Sequence, residues 1–255
     1  DIPKMENAEV ADLMARFEPL VKHFNRYLTI GGFPELALSD DDLYAQRMLR
    51  EDVVDKVIKR DVLTLFKVRS PLLMEKLFLY LCMNSTEIFS ATTAAKELDN
   101  ISPNTIESYV DALVKSNLIY MAYPIAVGSK SVLKGRPKIY IADAAIRNAV
   151  LMDDSLLTDP VEMGKIVETA IYKHVAAFYY QQATSVGYFR GGKKNKEIDI
   201  VVDYHNAGNI LIEVKYREGA PIPDDDAIAE LCAEASAAIV VTKSASDFGV
   251  HNSKS

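Results

Sequence analysis

Near Gly164 the apolar residues stop recurring every three or four positions and, after one last helical stripe, recur every two. That switch of period constrains the fold more than any other feature of the chain. It predicts an α+β protein of several domains, with a helical first part and then a mixed α/β sheet with helices packed on it. The expected division is a helical region over 1–68, a second unit over 69–152 and a sheet domain over 163–245. An exposed linker over about 152–163, rich in Asp153, Asp154, Ser155 and Asp159-Pro160, should separate two independent cores.

Within the first part, Val10, Leu13, Met14, Phe17, Leu20, Val21 and Phe24 predict one amphipathic helix over 8–28, ended by Gly31-Gly32-Phe33-Pro34. A second long helix is expected from about 40 to 65. Ser70-Pro71 and Ser102-Pro103 are cap-and-proline starts for helices over 72–83 and 103–116, with a short helix over 92–98 between them. Two β-prone stretches, 118–126 and 138–142, flank the polar loop 128–137. Three helices followed by a two-stranded ribbon is the order of a winged helix.

The last third carries the chemistry. Ile166, Val167, Ala170, Ile171, His174, Val175 and Phe178 predict a helix. Strands over 186–190, 197–204 and 209–216 follow, then a helix over 226–235 and a buried-type strand over 237–242. Alternation puts Glu197, Asp199 and Val201 on one face of their strand, with Ile198, Ile200 and Val202 on the other. It likewise groups Leu211, Glu213 and Lys215. A short connection predicts an antiparallel hairpin, which brings Asp199, Glu213 and Lys215 to one face. Two carboxylates about 6 Å apart repel by roughly 3 kcal/mol at an effective dielectric near 20. One lysine leaves the site net negative, and Mg²⁺ would neutralise it because that ion accepts one or two carboxylates and keeps waters. A Glu-x-Lys pair on a solvated strand is by itself only an ion pair of little consequence. Flanking Ile198, Ile200, Ile212 and Val214 argue for central strands, where charge needs a reason.

Asp199, a hairpin and then Glu213-Val214-Lys215 resemble the PD-(D/E)XK nuclease superfamily, with Ile198 at the position of the name's proline. The resemblance implies that Asp199 and Glu213 hold Mg²⁺, that Lys215 assists the attacking water and that Glu168 on the preceding helix is an auxiliary acid. More broadly, Tyr27-Leu28, Gly31-Gly32-Phe33-Pro34-Glu35, Lys59-Arg60-Asp61 and Lys138-Ile139-Tyr140-Ile141-Ala142-Asp143 resemble the C-terminal half of a prokaryotic AAA-type ATPase family. That family joins an ATPase module, a winged helix and a nuclease-like domain. No Gly-x-x-x-x-Gly-Lys-Ser/Thr occurs, so this stretch is expected not to bind ATP. Starting on Asp and stopping in Ser and Lys, it reads as a piece of a longer protein whose ATPase module lies upstream.

A formal charge of −7 opposes indiscriminate coating of nucleic acid but allows a local basic groove. Lys130, Lys134, Arg136 and Lys138 form one basic stretch; Arg190, Lys193, Lys194 and Lys196 form another beside the site. Each reads equally as a phosphate contact to DNA or as a solvated loop. The expected recognition helix exposes Asn104, Thr105, Glu107, Ser108, Asp111 and Lys115, a set that favours a protein partner over base readout. No apolar run reaches the roughly eighteen residues of a membrane helix. Cys82 and Cys232 read as buried thiols in a reducing, cytoplasmic setting. The four histidines form no ligand motif; His174, Tyr172, Tyr179 and Tyr180 are expected in packing.

Overall fold

The computed structural model describes residues 7–66, 68–127, 135–152, 157–182, 184–191, 196–204, 208–219, 221–244, 247 and 249. Its first part is helical: α1 (Asn7–Phe17), α2 (Val21–Ile30), α3 (Pro34–Ala37) and α4 (Asp42–Arg50), the last running on through wider π turns (Glu51–Val62) into α5 (Leu63–Leu65). The expected single helix over 8–28 is two, joined by a 3-10 turn at Glu18–Leu20. Pro19 lacks the N–H that a continuous helix needs. The apolar stripe there is not core: Phe17, Leu20, Val21 and Phe24 are exposed. Gly31 ends α2 at φ 78°, and a Cβ there would lie 2.7 Å from Asp143 Oδ1. Only glycine accepts both that backbone conformation and that approach.

Three helices follow, α6 (Pro71–Met83), α7 (Ala91–Glu97) and α8 (Pro103–Lys115), then the antiparallel pair β1 (Ile119–Ala122) and β2 (Lys138–Ile141). Ser70 caps α6 by accepting from Leu73 N, 3.3 Å away. A helix that the periodicity does not separate comes next, α9 (Ala144–Leu151), capped by Asp143 and buried from Ala144 to Val150. Its burial includes Arg147 and Asn148, which are satisfied in part by distant backbone. Arg147 Nε donates to Cys82 O at 2.8 Å and its guanidinium pairs with Glu162, while Asn148 Nδ2 donates to Leu28 O at 3.0 Å. These bonds tie α2, α6 and α9 into one body. Cys82 lies fully buried among them, and burial pushes its thiol up to about 12.

α10 (Pro160–Tyr179) starts within the expected linker, because Asp159 accepts from Val161 N and Glu162 N and caps it. The sheet has the order β3 (Ser185–Gly191), β4 (Lys196–Asp203), β5 (Asn209–Lys215), β6 (Ala237–Thr242), with β5 and β6 parallel and the rest antiparallel. α11 (Ala227–Leu231) and a 3-10 turn (Cys232–Glu234) precede β6. β6 is not the buried strand expected: it pairs on one side only, and Ala238 and Ile239 are exposed. Tyr180 is exposed rather than packed, as is Phe178 at the end of the helical stripe, and His174 is exposed with its ring centre 5.6 Å from that of Tyr27.

One core belongs to residues 33–151 alone, but the cores of the two parts are not fully separate. Ala122 and Tyr140 of the ribbon share a cluster with Tyr172 of α10 and Tyr188, Ile200 and Ile212 of the sheet. The Tyr140 and Tyr172 rings stack at 3.9 Å, an arrangement worth about 1 kcal/mol beyond its buried area. Beyond β1 the chain also bonds β3: Tyr188 N donates to Tyr123 O and Ile125 N to Tyr188 O. Gly187 permits this, since a Cβ there would lie 2.0 Å from Tyr123 O. Among the described residues no helix is long and apolar enough to cross a membrane.

Candidate functional site

Strict alternation fails at Asp199. Gly187 pairs with Val201 and Phe189 with Ile198, so Asp199 and Ile200 together oppose Tyr188 alone. This is a β-bulge, a device that re-aims a side chain. Ile198 consequently packs with Val201 and Leu211 beside α11, whereas Ile200 packs with Ile212 and Tyr172 beside α10. The expected common face of Ile198 and Ile200 is thereby divided. Asp199 Oδ2 accepts from Val214 N at 2.9 Å, just past the last β4–β5 pair, Ile200 with Ile212. The carboxylate thus occupies the place where the two strands part.

Glu168 reaches the same spot from α10. Its Oε1 accepts from Tyr140 Oη at 2.7 Å, and Tyr140 also reaches Asp199 O at 3.3 Å. Both Tyr140 and the third participant, Lys138, come from β2. Lys138 Nζ lies 2.6 Å from Glu197 Oε1, 3.3 Å from Glu168 Oε1 and 3.5 Å from Asp199 Oδ1, with only 3% of its side chain exposed. Burial opposes the Lys138 charge, yet Glu168, Asp199 and Glu197 outweigh it and hold its pKa above the ordinary lysine value. Burial, and next the Asp199 charge, push Glu168 up to about 7 despite Lys138 and Tyr140. Burial and Glu168 likewise raise the Tyr140 phenol well above its ordinary value, so it remains a donor.

Tyr140→Phe should keep the ring stack and remove the Glu168 bond. The expected cost is about 1–3 kcal/mol by denaturant unfolding, as for other bonds to charged groups. A loss that Glu168→Met, which removes the acceptor, fails to diminish would show that Tyr140 does not act through Glu168.

Glu213 and Lys215 stand on β5 beyond the strands' parting. Lys215 Nζ contacts Asp226 Oδ2 at 2.8 Å and Glu213 Oε1 at 3.4 Å. Burial, then the charge of Asp199, push Glu213 up to about 8. Burial lowers the Lys215 pKa, but Asp226 and Glu213 raise it by more. Among the described residues, Glu213 Oε2 is buried with no hydrogen-bond partner. A buried, unsatisfied carboxylate oxygen beside a second carboxylate is a hard-donor set that suits Mg²⁺, which takes one or two carboxylates and completes its shell with water. No group of three or more Asp, Glu, His or Cys among the described residues is arranged to hold a metal ion.

Glu168 and Asp199 meet around Lys138 and Tyr140, with Glu197, while Glu213, Lys215 and Asp226 form a second group linked to the first through the Asp199 bond to Val214 N and the Asp199 charge on Glu213. For Lys138 the placement overturns the expected phosphate contact: it is buried among carboxylates. Its place in a basic stretch and at the start of a β-prone one does not reveal the strand pairing that carries it inward. Arg136 and Arg190 are exposed, and Arg190 lies 3.9 Å from Glu197. Lys196 pairs with Glu230. Lys130, Lys134, Lys193 and Lys194 lie outside the described residues. On α8, Asn104, Glu107, Ser108, Asp111 and Lys115 are exposed, with Lys115 paired to Asp111. A groove of about 1130 Å³ contains none of the carboxylate cluster; it runs past Glu107, Tyr120, Tyr123, Ala176 and Tyr180.

Over 201 residues the chain is 24% identical to the uncharacterized protein MJ1544 of Methanocaldococcus jannaschii, an alignment spanning 77% of this chain and 42% of that protein. It is 28% identical over 172 residues to the uncharacterized protein MJ1637 of the same organism, spanning 66% of this chain and 35% of that one. The chain thus spans less than half the length of these relatives. No solved structure matches it. Residues 163–255 match a domain of unknown function, DUF4143, which supplies Glu168, Asp199, Glu213 and Lys215. Residues 21–157, just over half the chain and the source of Lys138 and Tyr140, match another domain of unknown function, DUF8612, and the chain belongs to that family.

Proposed function

We propose that this chain is the DNA-cleaving part of a longer AAA-type ATPase, a PD-(D/E)XK-like nuclease domain docked on a winged helix formed by α6, α7, α8, β1 and β2. The observation that supports the reading is Asp199 held where β4 and β5 part, beside Glu213, whose Oε2 is buried and unsatisfied among the described residues. Asp199 and Glu213 would hold Mg²⁺, which supplies polarisation of a phosphoryl oxygen and a more acidic bound water. Lys215, anchored by Asp226, holds an ammonium where it can orient that water and stabilise developing charge. Glu168, near 7, is poised to take or give a proton at neutral pH. Exposed Arg136 and Arg190 offer phosphate contacts, and the acidic outer face of α8 suits a protein partner. Free thiols at Cys82 and Cys232 accord with a reducing, cytoplasmic setting.

The test is nicking of single-stranded, double-stranded and branched DNA at millimolar Mg²⁺ or Mn²⁺. Lys215→Ala should reduce nicking to background while keeping most of the divalent-ion effect on the melting temperature, because lysine is not a ligand. Lysine-independent nicking would remove Lys215 from the chemistry. A rival reading, a non-catalytic module that binds DNA or protein with the same fold, is favoured by Lys138 standing among the carboxylates. That rival predicts binding that neither metal removal nor substitution of Asp199 impairs.

A further inference from the structure

Lys138 is an unusual neighbour for a metal site. It belongs to the DUF8612 segment, yet its ammonium contacts Glu168 and Asp199 of the DUF4143 segment, as well as Glu197. A lysine at that depth would ordinarily be costly, and here three carboxylates make it favourable. The arrangement is held from several directions. β2 pairs with β1 over four residues, Tyr140 stacks on Tyr172, and Tyr188 bonds both Tyr123 and Arg136 O. Lys138 Nζ also lies 5.6 Å from the centre of the Tyr188 ring. The ammonium is therefore fixed by docking of the ribbon on the sheet, and it is more than a solvated lysine passing the site.

We infer that Lys138 is a built-in competitor of the divalent cation, an internal counter-ion that holds Asp199 and Glu168 until the metal displaces it or the ribbon withdraws. This rests on the metal-binding reading above and adds a control to it. Asp199 has two oxygens with different duties: Oδ2 is committed to Val214 N, and Oδ1 faces Lys138. A cation that takes Oδ1, the oxygen not bonded to Val214 N, meets Lys138 there, and one held through the other lone pair of Oδ2 still lies beside its ammonium. Docking of the first segment thereby sets how much metal the second requires. A partner that pulls β1–β2 away from β3 would lower that requirement with no contact to the acids themselves.

The comparison is a thermal-shift titration with Mn²⁺ of the whole chain, wild type against Lys138→Met, at fixed pH. Methionine keeps an unbranched apolar stem and removes the charge. The variant should melt lower without metal, and its half-saturating Mn²⁺ concentration should fall at least about tenfold, within the range by which groups around a metal change its affinity. At saturation its melting temperature should rise by about 5–10 °C. If three unpaired carboxylates prevent Lys138→Met from folding, the double variant Lys138→Met/Glu197→Gln restores one charge and is read in the same way. A half-saturation equal to or weaker than wild type overturns the competitor while leaving the metal reading intact. An absence of any Mn²⁺ response in wild type and variants overturns both.

Discussion

Asp199→Asn should reduce metal-dependent nicking by at least about 100-fold and abolish the Mg²⁺- or Mn²⁺-dependent rise in melting temperature, while leaving the protein folded. The reason lies in the divided duties of this carboxylate. An asparagine oxygen can still accept from Val214 N, so the parting of β4 and β5 is preserved. What disappears is the negative charge, which serves as the hard ligand and as one of the three partners of Lys138. Asp199→Ala is the harsher change. It also leaves the half-buried Val214 N without its acceptor, a loss of about 1 kcal/mol. The pair of variants separates chemistry from folding: the same lost activity with different stabilities places the charge, rather than the strand geometry, in the reaction. Wild-type nicking rates in Asp199→Asn would end the nuclease reading.

The local grammar of the chain was readable. Proline-marked helix starts at Ser70 and Ser102, the break at Gly31 and the β4–β5 hairpin all follow from a few neighbouring residues. So did the residue types of the site, because Asp199 and Glu213-Val214-Lys215 interrupt apolar strands. What escaped has a common cause, contact between segments far apart in sequence. α9 has no polar face to set a period, since α2, α4, α6 and α10 surround it, and even Arg147 is enclosed. Alternation assumes a regular strand and cannot show the bulge that divides Ile198 from Ile200. The independent cores were inferred from a change of period, but period reports the shape of an element and says nothing about which elements it touches. Lys138 is the sharpest case. As one of four basic residues it reads equally as a phosphate contact or as part of a solvated loop, and its pairing in β2 carries it into the acids.

Without metal, the melting temperature should fall as pH rises from about 5 to 8.5, by on the order of 5–10 °C, and Glu213→Gln should remove much of that slope. In the folded chain Glu213 is pushed up to about 8 and Glu168 to about 7, whereas unfolded glutamates titrate near roughly 4.3. Between those values the folded state keeps protons that the unfolded state has released. Stability must therefore decrease with rising pH in that window. The contribution is complete below the unfolded value and is gone above about 8 for Glu213. Lys138 and Lys215 are raised as well, but a raised lysine loses its contribution only in the alkaline range above the ordinary lysine value, outside this window. Divalent ions should reverse the trend, because they bind the ionised carboxylate. Their stabilising effect should grow from pH 6 to 8.5 as Glu213 gives up its proton. Glu213→Gln should flatten the metal-free profile by holding that position neutral at every pH, and it should also erase the pH-dependent metal gain. A metal-free profile that is level or rising up to pH 8, or one that Glu213→Gln leaves as steep, would mean that Glu213 is ionised in the folded protein and that its unsatisfied oxygen already has a partner in solution.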